Sequence, residues 1–196
     1  MVKSKIVMYR FLSAFFLYSM GVQTVMLLAP LFGDEVVGMT ADEMIYVVLI
    51  LQIVAIGGAY VFAIISKFRG NGFAIGTTLI IWIFICITGY FLKDKMSFYG
   101  LAGLLGFVMG GVQSISRSTY SKLIPEGTKD TASFFSFYDI TEKLAIVIGT
   151  FSFAFINMIT GNMRYSMLFM SLFFIAGFIV LQFAKLKRNL KLAEVN

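Results

Sequence analysis

The sequence predicts an all-α, polytopic membrane protein with six transmembrane helices, and three observations carry that reading. Of 196 residues, 59% are hydrophobic, 22 are Phe and two are Pro, with a mean hydropathy of +0.90. The charged fraction is 13%, about half the usual value, so a soluble domain of this length could not hide so much apolar surface. The apolar residues are gathered into six runs of about 20 residues or more, the length a helix needs to cross a bilayer.

The same composition excludes other classes. The net charge of +6 does not indicate nucleic acid, because the basic residues are scattered between apolar runs instead of forming one patch. Cys86 is the single cysteine, which excludes an internal disulfide, and there is no histidine. That absence removes the commonest proton shuttle and transition-metal ligand. No nucleophile–base pair, metal cluster or phosphate loop is visible, so neither an enzyme, a metal nor a cofactor is expected.

The first span is expected over residues 11–32, behind Lys3, Lys5 and Arg10. It is too long for the apolar core of a signal peptide and has no small-residue cleavage site, so it reads as retained. Within it Ser19 and Gln23 stand i,i+4, either as a helix-packing hydrogen bond or as a pathway contact. Residues 33–43 read as an acidic loop holding Asp34, Glu35, Asp42 and Glu43. A second span follows at 44–65, interrupted in polarity only by Gln52, and then a basic turn at 66–72. The third span, 73–92, is closed by Lys93-Asp94-Lys95. The fourth, 98–123, stops before Pro125. The fifth and sixth cover 133–159 and 165–184, and the tail from Lys185 to Lys191 is basic.

Orientation follows from the Lys and Arg content of the connections. One side receives twelve: Lys3, Lys5, Arg10, Lys67, Arg69, Arg117, Lys122, Lys129, Lys185, Lys187, Arg188 and Lys191. The other receives three, Lys93, Lys95 and Arg164. Both termini are therefore expected in the cytoplasm, and the protein in the plasma (inner) membrane.

The segment from Gly103 to Lys143 holds the charges that enter apolar helices. Gly103, Gly106, Gly110, Gln113, Arg117 and Tyr120 recur at spacings of three and four, which places them on one helix face. Its glycine end, Gly103, Gly106 and Gly110, suits close helix packing. Beyond the break at Pro125-Glu126-Gly127, the fifth helix carries Asp139, Glu142 and Lys143 within about one turn. Asp139 and Lys143 stand in the i,i+4 order that favours pairing. Arg117 and Lys143 against Asp139 and Glu142 make a quartet of zero net charge. Two readings stay open, a salt-bridge lock between the fourth and fifth helices, or a gate facing a water-filled pathway. With Gln23 and Gln113, these four residues are the candidate pathway.

Three stretches in this order resemble the vacuole-effluxer-like (autophagy-related amino-acid effluxer) branch of the major facilitator superfamily. They are Gly110-Gly111-Val112-Gln113-Ser114-Ile115-Ser116-Arg117-Ser118, then Leu123-Ile124-Pro125-Glu126-Gly127, then residues 134–143 ending Asp139-Ile140-Thr141-Glu142-Lys143. Arg10-Phe11-Leu12, Ala14-Phe15-Phe16, Tyr18 and Gly21-Val22-Gln23-Thr24 match the start of that branch's seventh helix. Two positions depart from it. Met20 stands where an acid commonly precedes the glycine, and Ser66-Lys67-Phe68-Arg69-Gly70 replaces an Asp-Arg-x-Gly loop.

The resemblance implies the C-terminal six-helix half of a major-facilitator-type bundle, and export or vacuolar efflux of a small solute, amino acids being the usual suggestion. In that architecture the solute sits between two six-helix halves that rock about a midplane site. The implied partners are the lipid bilayer, a small-molecule solute and a second half, as a separate chain or a second copy. The competing expectation is a non-transporting accessory subunit or a truncated remnant.

Overall fold

The computed structural model describes residues 2–125 and 130–184, with side chains from Ile6 onward. It is an all-α half-bundle of six long apolar helices: α1 Val2–Val37, α2 Ala41–Arg69, α3 Asn71–Phe91, α4 Lys95–Leu123, α5 Thr131–Thr160 and α6 Met163–Ala184. All six are long and apolar enough to cross a membrane, and the chain is an integral membrane protein. The expected charges at Lys129 and in the tail from Lys185, with Glu126 and Gly127 of the expected break, lie outside the described residues.

Local chemistry explains the ends. The expected acidic loop is mostly helix: α1 continues through Asp34 and Glu35 and stops only before Gly38, whose φ of +69° is left-handed. Gly33 lies inside the helix, and its bare Cα admits the close approach of Met44 and Phe98, which would stand 2.9 and 3.0 Å from a Cβ. Thr40 then opens α2 with a reciprocal capping box, its side chain accepting from the Glu43 amide while Glu43 accepts from the Thr40 amide. The basic turn contracts to Gly70 alone between α2 and α3. Asp94 and Asp130 cap α4 and α5 by accepting from the amides of Ser97 and Ser133, and Gly161 ends α5 in the left-handed region.

The helices pair as α2 on α4, α1 on α6 and α5, and α3 on α6 and α4. The α2–α4 pair owes its closeness to glycine. A Cβ on Gly110 would lie 2.0 Å from the Ala55 carbonyl oxygen, and one on Gly106 2.5 Å from that of Leu51. Gly103 does not belong to this seam: a Cβ there meets nothing within 4 Å, because α2 crosses α4 further along, at Gly106 and Gly110.

The two ends of the bundle differ. At the end carrying the α1–α2 and α3–α4 connections, Val25, Phe32, Val47, Leu105 and Phe153 close over a residual space of about 20 Å³. Lys95 Nζ pairs there with Glu43 at 2.7 Å, joining α4 to α2. Arg164 of α6 donates to the carbonyl oxygens of Tyr90 (2.9 Å) and Leu92, which supplies the end of α3 with the cation its free carbonyls favour. The opposite end is open.

Candidate functional site

The open end holds a cavity of about 620 Å³ between α1, α4 and α5. α4 contributes its C-terminal half, α5 its N-terminal half and α1 its middle. From α1 come Phe15, Tyr18, Ser19 and Gln23, at the three- and four-residue spacing that lines one face. From α4 come Gln113, Ser116, Arg117 and Ser121, and from α5 Phe135, Tyr138 and Glu142, again at i, i+3 and i+7.

Small residues let the three helices meet. A Cβ on Gly149 of α5 would stand 2.4 Å from the Met20 carbonyl oxygen of α1, so only glycine permits that approach. The closeness places Glu142 beside Gln23, whose side-chain amide donates to Glu142 Oε1. Behind them Tyr18 Oη and Ser116 Oγ are hydrogen bonded at 2.7 Å, in a buried pair joining α1 to α4. The Tyr138 ring stacks on Phe15 with centroids 4.1 Å apart and leans on Tyr120 at 5.1 Å. Tyr120 in turn donates to the Phe134 carbonyl oxygen at 3.0 Å, fixing the start of α5 against α4. Phe15, Phe135 and Tyr138 thus line the cavity towards its open end, and Gln23, Gln113 and Glu142 lie deeper along the same helices.

Of the candidate residues, the cavity brings together Gln23, Gln113, Arg117 and Glu142. Asp139 is half-buried and Lys143 exposed, and neither lines it. The expected ion-pair quartet does not form. Among the described residues Lys95–Glu43 is the one ion pair within 4.0 Å. Arg117 instead sits over the Phe135 ring, 5.6 Å from its centroid, and Glu142 takes its hydrogen bond from a neutral amide. The physical reason is access. Both groups face a cavity that water can enter, where neither charge must be neutralised by a direct partner, and a guanidinium is readily held against an aromatic face.

The sequence reading missed Tyr18, Ser116 and Tyr138. A signal was present for the last, since Phe135, Tyr138 and Glu142 share one face of α5. None existed for the Tyr18–Ser116 pair, which joins residues 98 apart. Among the described residues no three His, Cys, Asp or Glu side chains converge as metal ligands would. At the entry to α5, outside the apolar span, the Ser133 hydroxyl and amide both donate to Asp130 and hold its carboxyl below the usual carboxylate range. The Ser97 amide and hydroxyl do the same for Asp94 at the start of α4.

Comparison with known proteins places the chain in a family. The chain is 27% identical over 177 residues to the MFS-type transporter YxiO of Bacillus subtilis, covering 90% of this chain and 40% of that protein. It is 31% identical over 195 residues to autophagy-related protein 22 of Saccharomyces cerevisiae, covering 94% of this chain and 37% of that protein. Against autophagy-related protein 22 of Eremothecium gossypii the identity is 29% over 198 residues, covering 94% and 38%. The chain thus spans about two fifths of the length of the curated relatives it matches. The family model described as vacuole effluxer Atg22 like matches residues 2–194, and the chain belongs to that family.

Proposed function

We propose that this chain forms one wall of a solute pathway in a two-half membrane transporter, with amino-acid efflux as the activity. The observation that carries the reading is the polar cavity of about 620 Å³ at one end of the bundle, separated by apolar packing of α1, α2, α4 and α5 from a smaller cleft of about 410 Å³ at the other end. A half-transporter held open to one side has that asymmetry. Gln23, Gln113, Arg117 and Glu142 face the solute, and Asp139 and Lys143 act from the adjoining face of α5. The second six-helix half covers the cavity and rests on the lipid-exposed flanks of α2 and α5, where Ile56, Tyr60, Val147 and Phe151 are exposed. The basic asymmetry of the connections sets both termini in the cytoplasm, in the plasma (inner) membrane.

The test is counterflow of a radiolabelled amino-acid mixture in proteoliposomes made from the assembly that co-purifies with the chain in mild detergent. Uptake above empty liposomes, lowered by Arg117→Ala and Glu142→Gln at unchanged protein yield, is the expected result. Counterflow equal to empty liposomes, from a preparation that cross-linking shows to be monomeric, would move the assignment to a non-transporting membrane protein.

A further inference from the structure

We propose that the ends of α2 and α4 nearest the open cavity form a binding site for the headgroup of an anionic phospholipid. A cleft of about 270 Å³ lies between them, with Ala59, Ala63 and Lys67 on α2 and Ser118 and Lys122 on α4. Its origin is the glycine seam. Gly106 and Gly110 hold the two backbones together at Leu51 and Ala55, but serine and lysine replace glycine further along α4, and the helices part.

The chemistry is graded along the cleft. At its mouth stand two ammonium groups, one in the last turn of each helix. Among the described residues neither has a carboxylate within 4.0 Å. The Ser66 and Ser114 hydroxyls donate to Asn71 Oδ1 and the Gly111 carbonyl oxygen, whereas among the described residues Ser118 has no hydrogen-bond partner. Deeper in, Ala59 and Ala63 leave a wall without side chain beyond Cβ. Two cations without a carboxylate partner among the described residues, and a hydroxyl donor, above an apolar wall fit a phosphodiester carrying an acyl chain. A soluble anion would satisfy the cations and leave the alanine wall uncovered. The depth is right as well: Phe68 beside the cleft is 80% exposed, and the Arg69 guanidinium lies 5.0 Å from the Phe73 ring centroid, as interfacial anchors do. Basic pockets between transmembrane helices at the cytoplasmic surface are the sites that hold anionic headgroups. Ser114 and Ser118 border both this cleft and the solute cavity, whereas Lys67 and Lys122 line the cleft alone, so the two lysines test the site apart from the transport reading.

Native mass spectrometry of the detergent-purified protein, titrated with phosphatidylglycerol or phosphatidylcholine, reads the binding. A lysine near an anionic surface is worth about fivefold in affinity. Lys67→Gln and Lys122→Gln are each expected to weaken phosphatidylglycerol about fivefold, and the double variant about 25-fold. Lys93→Gln at the opposite end leaves it unchanged. The Lys67→Arg/Lys122→Arg pair retains binding, which keeps the test readable if the glutamine variants express poorly. Equal affinity of the wild type for the two lipids, or undiminished phosphatidylglycerol binding by the folded double variant, would overturn the proposal. Displacement of phosphatidylglycerol by inorganic phosphate alone would also overturn it, and would assign the cleft to a soluble anion.

Discussion

Gln23 on α1 donates a hydrogen bond to Glu142 on α5, tying together residues 119 apart in sequence at the edge of the open cavity. Gln23→Ala leaves Glu142 to cavity water, so the expected loss is about 1 kcal/mol, below the usual range for bonds to charged groups because water substitutes. Gln23→Glu sets two carboxylates against each other. It costs more than Gln23→Ala through like-charge repulsion. Thermal unfolding in detergent checks both. Identical melting of wild type and both variants would mean that the tether carries no energy.

Arg117 is held by an aromatic face and not by a carboxylate. Arg117→Ala is therefore expected to destabilise by about 0.5–1 kcal/mol, the range for an exposed cation–π contact. Breaking a buried ion pair would cost about 3–5 kcal/mol. Exchanging the charges, Arg117→Glu with Glu142→Arg, should rescue nothing that the single variants lose. A double-mutant cycle read by unfolding decides, since strong positive coupling would restore the ion-pair lock.

Two glycines on α4 separate close approach from mere helix composition. Gly110→Ala drives a methyl onto the Ala55 carbonyl oxygen, where a Cβ would stand at 2.0 Å. Overpacking of that kind costs about 1–3 kcal/mol. Gly103→Ala meets nothing within 4 Å and gains up to about 1 kcal/mol of helix propensity. The two variants should shift the melting temperature in opposite directions, and equal shifts would contradict the seam.

Orientation is checked at two side chains that are each 80% exposed, Phe68 and Met96. In a Cys86→Ser background, Phe68→Cys is expected to react with a membrane-impermeant maleimide only after the cells are opened. Met96→Cys should react in intact cells. The reverse pattern would invert the topology.

The cap of α5 supplies a pH signature. Asp130 has its carboxyl held below the usual range by the hydroxyl and amide of Ser133. A carboxyl whose folded pKa is depressed stabilises the fold above its unfolded pKa, about 3.9 for Asp, and that contribution is lost as pH falls through the folded value. Asp130→Asn keeps an acceptor for the cap without the titration. Its melting temperature should fall less steeply than wild type below about pH 4, with a small difference because the group is exposed and screened by salt. Superimposable acid profiles would show that the cap is not linked to stability.

The sequence alone determined the number and nature of the helices, because a run of about 20 apolar residues has few other destinations than a bilayer. It also marked Gly106 and Gly110 as a packing pair, and placed Gln113 and Arg117 together on one face of α4. It did not reveal where the helices cross. One face of α4 spans an arc wide enough to meet α2 at Gly106 and Gly110, the cavity at Gln113 and Arg117, and α5 at Tyr120, while Gly103 meets nothing. Helical spacing ranks neighbours on one element but carries no information about the axis of the next. The same limit separates Glu142, on Gln23, from Asp139 one turn away and outside the cavity. Whether a charge needs a partner depends on whether water reaches it, and only the packing of α1 between α4 and α5 decided that.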